Sequence, residues 1–213
     1  MAAVPRLFVY RIVTDVGAAP HISNEHLTLT ICKPGIRKSA KAGDYVLALV
    51  ALQHGKIVGK AEDRYYKAAY LFQVGDVIPM TAYEGWCKEH APNKITNNEH
   101  FEGNCQYDAN LTWRPGPHGP HERERNIKGC NSLVSTNYAA WTSAKPYTIR
   151  PEEAAAIGLD PEQVRTATRN FFTVPLDAGR VAALEELIGK KPGQIVGAGR
   201  RPHQTRKNRK TSK

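Results

Sequence analysis

The tripeptide Cys32-Lys33-Pro34 puts a thiol beside an ammonium, and Arg37, Lys38 and Lys41 follow within a few residues. A cysteine among cations is a candidate nucleophile, because nearby positive charge favours the thiolate. The competing reading is a small buried thiol that only fills space. Lys33, Arg37, Lys38 and Lys41, read as a cationic loop over residues 34–41 and its flank, suit phosphate: an arginine grips two oxygens at once, and a lysine supplies a mobile point charge. The second chemistry-bearing stretch is "YDANLTWRPGPHGPHERERN", which interleaves Tyr107 and Trp113 with Arg114, His118, His121, Arg123 and Arg125. Rings that stack on bases and arginines that follow a backbone describe a nucleic-acid clamp, and a surface lid without a ligand is the alternative. Cys87, His90, His100, Cys105, His118, His121 and Cys130 include metal-ligating types, but their spacings match no standard zinc pattern, so no metal site is expected. No glycine-rich fingerprint for a dinucleotide or a P-loop is present, and no cofactor is expected.

The charge is uneven. Of the 30 lysines and arginines, seven lie in "RRPHQTRKNRKTSK" at the end of the chain, including Arg200, Arg201 and Arg206, with no acid among them. That leaves 23 cations against 20 acids in residues 1–199, a net +3. A segment with no apolar anchor reads as a disordered tail that seeks polyanions, and nucleic acid is such a partner because neutralising phosphates releases counterions. Four cysteines without C-x-x-C pairing fit free thiols in a reducing compartment. No apolar run approaches the ~20 residues of a membrane span, and the N-terminus lacks a signal-peptide layout. A cytoplasmic protein is expected, nucleoid-associated if bacterial or phage-encoded, with no membrane partner.

These residues need elements to hold them. "LFVYRIVT", residues 7–14, reads as a first strand with Asp15 at its end, and "LTLTICK", residues 27–33, as a second. Gly43-Asp44 turns the chain into an apolar strand from Tyr45 to Ala51, and Ile57 to Asp63 returns as a hairpin. Thr81 and Glu84 form a capping-box pattern ahead of a short helix. Residues 91–131 lack hydrophobic periodicity and read as a long loop or lid. Asn131 to Trp141 supplies another strand. From about residue 148 the pattern turns helical, with Asp160 and Asp177 as N-caps and Val181, Leu184, Leu187 and Ile188 on one face. The expected organisation is α+β: a β-rich domain over 1–147, a helical extension over 148–190 and a basic tail over 191–213.

In order and spacing, "YRIVTDVGAAP", "LTLTICKPGIRKSAKAGDYVLAL", "GKIVGKAE", "TAYEGWCKEH" and "NSLVSTNYAAW" resemble the second type of nucleotide-modification-associated domain, over about residues 7–150. The hairpin more distantly resembles the small curved barrels of the PUA, ASCH and EVE modules. The resemblance implies a place in a DNA-base modification system, a pocket at a barrel mouth with peripheral helices, and Asp15 as an acceptor for a base amino group. Turn formation is the competing role for Asp15. The leading reading is a module that binds a nucleotide or modified base, its partner DNA rather than RNA. One alternative is an enzyme that modifies a nucleobase through Asp15, Cys32 and His121. Another is an assembly subunit that docks on nucleic acid by its tail alone. Deletion of residues 200–213 separates the last from the others. If the tail is only an anchor, affinity drops in a salt-dependent way while preference for one base form persists; loss of binding to every nucleic acid alike leaves the tail as the sole contact.

Overall fold

The computed structural model describes residues 4–12, 17–50, 66–97, 101–166 and 171–190. Two sheets carry it. The larger has the strand order β10-β1-β4-β5-β8, with β9 also paired to β5; the smaller has the order β2-β3-β7-β6. The strands are β1 (Arg6–Ile12), β2 (His21–Ser23), β3 (His26–Leu29), β4 (Tyr45–Val50), β5 (Lys67–Gln73), β6 (Asp76–Pro79), β7 (Asn131–Ser135), β8 (Tyr138–Ala140), β9 (Tyr147–Thr148) and β10 (Phe172–Pro175). The helices are α1 (Pro34–Ser39), α2 (Met80–His90), α3 (Arg123–Ile127), α4 (Pro151–Ala156), α5 (Pro161–Thr166) and α6 (Ala178–Gly189).

Strand alternation sorts the larger sheet's side chains into two cores. Leu7, Val9, Tyr45, Leu47 and Leu71 join Leu184, Leu187 and Ile188 of α6. Phe8, Tyr10, Val46, Ala48 and Phe72 pack instead with Leu27, Leu29 and Leu133 of the smaller sheet. Helices, large sheet and small sheet therefore stack as layers, the inner strands β1, β4 and β5 of the large sheet being buried on both faces. That is why β1 and β4 read as nearly continuous apolar runs, and why they pair in parallel, Leu7 opposite Tyr45, in the middle of the sheet.

The mixed α+β architecture matches the sequence reading, but among the described residues the sheets stay open and form no closed barrel. The returning hairpin strand at 57–63, on which the barrel expectation rested, lies outside the described residues, as do Asp15 and the basic tail. β4 pairs on its far side with β5, a strand the sequence reading did not separate out. The second expected strand is shorter than 27–33. β3 stops at Leu29, and Cys32 and Lys33 take left-handed backbone conformations (φ 61° and 41°), which no strand accommodates. Pro34 then opens α1, so the cationic stretch is a helix rather than a loop. The helical extension is not peripheral, because it contributes β10, which pairs antiparallel with β1. Asp177 caps α6 as its position suggests, accepting from the Arg180 N–H at 2.8 Å. Glu84 is no capping group: its carboxylate takes Arg114 at 2.7 Å and Lys88 at 3.0 Å.

The described residues of the 91–131 stretch, 91–97 and 101–131, are packed. Ile95 bridges to Cys105 and Tyr107 to Trp113, and buried polar side chains do the tethering. Lys94 is fully buried, its Nζ within 3.0–3.2 Å of His21 Nδ1 and the carbonyls of His21 and His26. Burial pulls its pKa down to about 7, while three acceptors for three N–H groups favour the ammonium. Asn104, also buried, ties the same segment to Thr28 of β3 and to the Tyr83 hydroxyl of α2.

Arg37 of α1 is the other fully buried cation. Its Nε donates to the Cys32 carbonyl at 2.8 Å, Nη1 to the Asn131 carbonyl at 2.8 Å, and Nη2 to the Asn126 carbonyl. Burial lowers its pKa to about 10, which still leaves it charged at neutral pH. Gly129 sits so close that a Cβ there would fall 2.3 Å from the guanidinium carbon. Replacing Arg37 by Met strands three buried carbonyls, at roughly 1–3 kcal/mol each. Arg37→Met is therefore expected to lower the urea midpoint sharply, and Gly129→Ala to lower it as well. A midpoint unchanged by Arg37→Met would show that the carbonyls find other partners.

Candidate active site

The left-handed turn at Cys32-Lys33 lies between β3 and α1, and Arg37 fastens its carbonyl from one side. Asn126 fastens it from the other: the Cys32 N–H donates to Asn126 Oδ1 at 2.9 Å. The thiol is thereby turned away from a strand position and set 3.2 Å from His118 Nε2. Thr28, in register with it along the sequence, is fully buried and hydrogen-bonded to Asn104. Cys32 does not share its surroundings, remaining partly accessible.

His118 is held as firmly. Its backbone N–H donates to Gln106 Oε1 at 3.1 Å, and its carbonyl accepts from Gln106 Nε2 at 2.9 Å and Trp113 Nε1 at 3.0 Å. Gln106 is fully buried, so this clamp is shielded from water. On the ring, Nδ1 is 3.1 Å from Asn126 Nδ2 and 3.3 Å from Glu122 Oε2. The Asn126 amide orientation follows from its other bond: Oδ1 must face the Cys32 N–H, so the NH2 group faces His118 and the Tyr107 hydroxyl, 3.2 Å away. Nδ1 thus meets one donor and one acceptor. With the ring proton on Nε2, Nδ1 accepts from Asn126. With a proton on Nδ1, Glu122 accepts it, and that is the arrangement needed when Nε2 takes the thiol proton.

The resting pair is uncharged at neutral pH. Burial pushes the Cys32 thiol above its ordinary value; Arg125, Lys33 and Arg37 pull it back, and Glu122 pushes it further up. Burial lowers His118, Arg125, Arg37 and His121 lower it further, and Glu122 opposes them.

The predicted site residues divide. Cys32 and His118 meet directly, with Lys33 and Arg125 acting on the thiol through their charge. Tyr107 is buried and bonded to Asn126, and Trp113 is bonded to the His118 carbonyl, so both rings brace the site. Arg114 pairs with Glu84, and Arg123 Nε donates to the Leu111 carbonyl at 2.9 Å. Arg37 spends its donors on backbone carbonyls and has no exposed surface for a phosphate. Lys38 is exposed on α1, and Lys41 lines a separate cleft of about 490 Å³ with Arg6, Asp44 and Tyr45. His121 is exposed, and the histidine that reaches Cys32 is its neighbour in sequence, His118. Asp15, Arg200, Arg201 and Arg206 lie outside the described residues. Gln106, Glu122 and Asn126 were missed as site residues. Glu122 had a signal, its i,i+4 spacing from His118; the other two are polar residues whose burial no local pattern announces. No group of three or more His, Cys, Asp and Glu is placed to hold a metal among the described residues.

Charge substitutions around the thiol have opposite expected signs. In peptide-resolved alkylation by iodoacetamide, the Cys32 rate should rise only above the ordinary thiol range. Glu122→Gln should move the profile to lower pH, and Arg125→Ala to higher pH. Coincident profiles for both variants would contradict this electrostatic layout.

A protein-family model described as nucleotide modification associated domain 2 matches residues 4–153, which include β1 through the start of α4 and the whole Cys32–His118 site. No curated protein matches the chain, and no solved structure does. With most of its length matched, and the site inside the match, the chain belongs to the family of nucleotide-modification-associated domains of the second type.

Proposed function

We propose that this protein is an enzyme of nucleotide modification that uses Cys32 as a covalent nucleophile and His118 as its general base. The observation that carries this is the contact of Cys32 Sγ with His118 Nε2 at 3.2 Å, the ring's other nitrogen being held by Glu122 and Asn126. A nucleophile within reach of a base, and the base oriented by a third group, is the arrangement that makes a thiol reactive. The family supports nucleotide chemistry as its setting.

In the proposed step the Cys32 proton passes to Nε2 and the Nδ1–H is received by Glu122. The sulfur electron pair forms a bond to an electrophilic carbon of the nucleotide or of a group it carries. The pair displaced from that carbon goes to the leaving atom, which takes the proton from Nε2. Water, or the acceptor of the transferred group, then breaks the S–C bond and restores the thiol.

A binding module remains the second reading, and a specific feature bears on it. The rings suited to stacking on a base, Tyr107 and Trp113, are engaged with Asn126 and with the His118 carbonyl. They support the Cys32–His118 geometry, and this favours catalysis over base reading. The DNA connection, a PUA-like or EVE-like relationship and a tail anchor for nucleic acid belong to the same proposal as its wider setting.

The test is nucleoside mass spectrometry on cells that carry the wild-type protein or a variant. Cys32→Ala should abolish the change in the modified-nucleoside profile that wild type produces. His118→Ala should slow its appearance by roughly 10²–10⁴-fold, the usual contribution of a positioned base. Full modification by Cys32→Ala would refute the nucleophile, and a profile that wild type itself leaves unchanged would favour the binding module.

A further inference from the structure

Two cations near the Cys32 thiol are only lightly partnered in the structure. Arg125, on α3, has a side chain 64% exposed and reaches only Glu122, at 4.0 Å. That carboxylate is also the one 3.3 Å from His118 Nδ1, so Arg125 stands two contacts from the imidazole and three from the sulfur. Lys33 follows Cys32 in the chain. Its Nζ donates to the Arg11 carbonyl at 3.1 Å and lies 4.6 Å above the Tyr10 ring. Among the described residues no carboxylate pairs with it, and an ammonium with one carbonyl partner keeps donors for a ligand.

Arg125 and Lys33 act on the same thiol and on each other. Each favours the thiolate, and the charge of Arg125 also lowers the pKa of Lys33, beside the larger effect of burial. Like charges held together cost free energy that a bound anion returns. By contrast, other cations of this fold are neutralised or consumed by close partners: Arg6 by Asp44, Arg114 and Lys88 by Glu84, and Arg37 by three carbonyls.

We propose that Arg125 and Lys33 form an anion-binding rim at Cys32 that takes a phosphate, so that the substrate of the thiol is a phosphorylated nucleotide and not a free base or nucleoside. This rests on the nucleophile reading above. Phosphate bound at Arg125 also draws that arginine from Glu122, which leaves the carboxylate to receive the His118 Nδ1–H. Substrate binding and activation of the base are coupled through one side chain.

The experiment compares two alkylating agents of similar size on the whole chain, anionic iodoacetate and neutral iodoacetamide, with Cys130 as an exposed internal reference. The ratio of iodoacetate to iodoacetamide rates should be higher at Cys32 than at Cys130. Arg125→Ala and Lys33→Ala should each lower it by about threefold or more, as expected for removing a charge close to a partly desolvated site. Lys38→Ala removes the same charge from an exposed position of α1 and should leave the ratio unchanged. Inorganic phosphate and nucleoside 5′-monophosphates should slow Cys32 alkylation, and the matching nucleosides should not. Protection by monophosphates alone identifies a free nucleotide as the phosphate source; protection by a short single-stranded oligonucleotide as well identifies a nucleic-acid strand. The rim is overturned if Cys32 and Cys130 share one ratio, if Lys38→Ala lowers it as much as Arg125→Ala, or if nucleosides protect as well as monophosphates. In each of those cases the nucleophile reading stands. If Cys32 reacts with neither reagent while Cys130 reacts with both, the nucleophile reading fails and the rim fails with it.

Discussion

The buried guanidinium of Arg37 is the constraint on which the site depends. It joins three carbonyls from three places, Cys32 before α1, Asn126 in α3 and Asn131 at the start of β7. A left-handed two-residue turn of non-glycine residues costs about 1–3 kcal/mol per residue and persists only where its surroundings over-determine it. Arg37 from within and Asn126 from above supply that determination, and the result is a thiol pointed at an imidazole. Asn126 then does double duty, its backbone held by Arg37 and its amide shared among the Cys32 N–H, His118 and Tyr107. The pair is positioned by a largely buried polar network, where each bond is stronger than it would be at the surface.

This arrangement brings a thiol against an imidazole and keeps the thiol quiet at rest. The burial that fixes the geometry also raises the thiol and lowers the imidazole. Glu122 resolves part of the conflict by favouring the protonated ring, and it does so at the expense of the thiolate. The two carboxylate effects oppose each other, which makes the charge state of the site responsive to what binds at its rim. Arg125, poised between Glu122 and solvent, is where that response would enter.

How much of this was legible in the chain depends on the kind of signal. β1, β4 and α6 were readable because apolar periodicity and an aspartate cap are local, and their cores are built from that periodicity. Family membership was readable because the stretches that carry it keep their order over residues 4–153. The α1 helix was read as a loop since its six residues, Pro-Gly-Ile-Arg-Lys-Ser, bury only Ile36 and Arg37, too little for a helical period to show. The packing of 91–97 and 101–131 is illegible for the same physical reason: Lys94, Asn104, Gln106 and Asn126 hold these residues by hydrogen bonds of buried side chains, which leave no pattern along the chain. Arg37 looked like a phosphate ligand because composition cannot tell a buried guanidinium from an exposed one. The contact of Cys32 with His118 was not legible because the two lie 86 residues apart and meet only through that network.

The most direct measurement of the central claim is acid-quench mass spectrometry of the protein mixed with a nucleotide extract of cells that carry it. The account predicts a mass adduct on the Cys32 peptide, present in wild type, forming far more slowly in His118→Ala, and absent from Cys32→Ser. Turnover of modified nucleotides by Cys32→Ser at the wild-type rate, with no adduct on any Cys32 peptide, would contradict it.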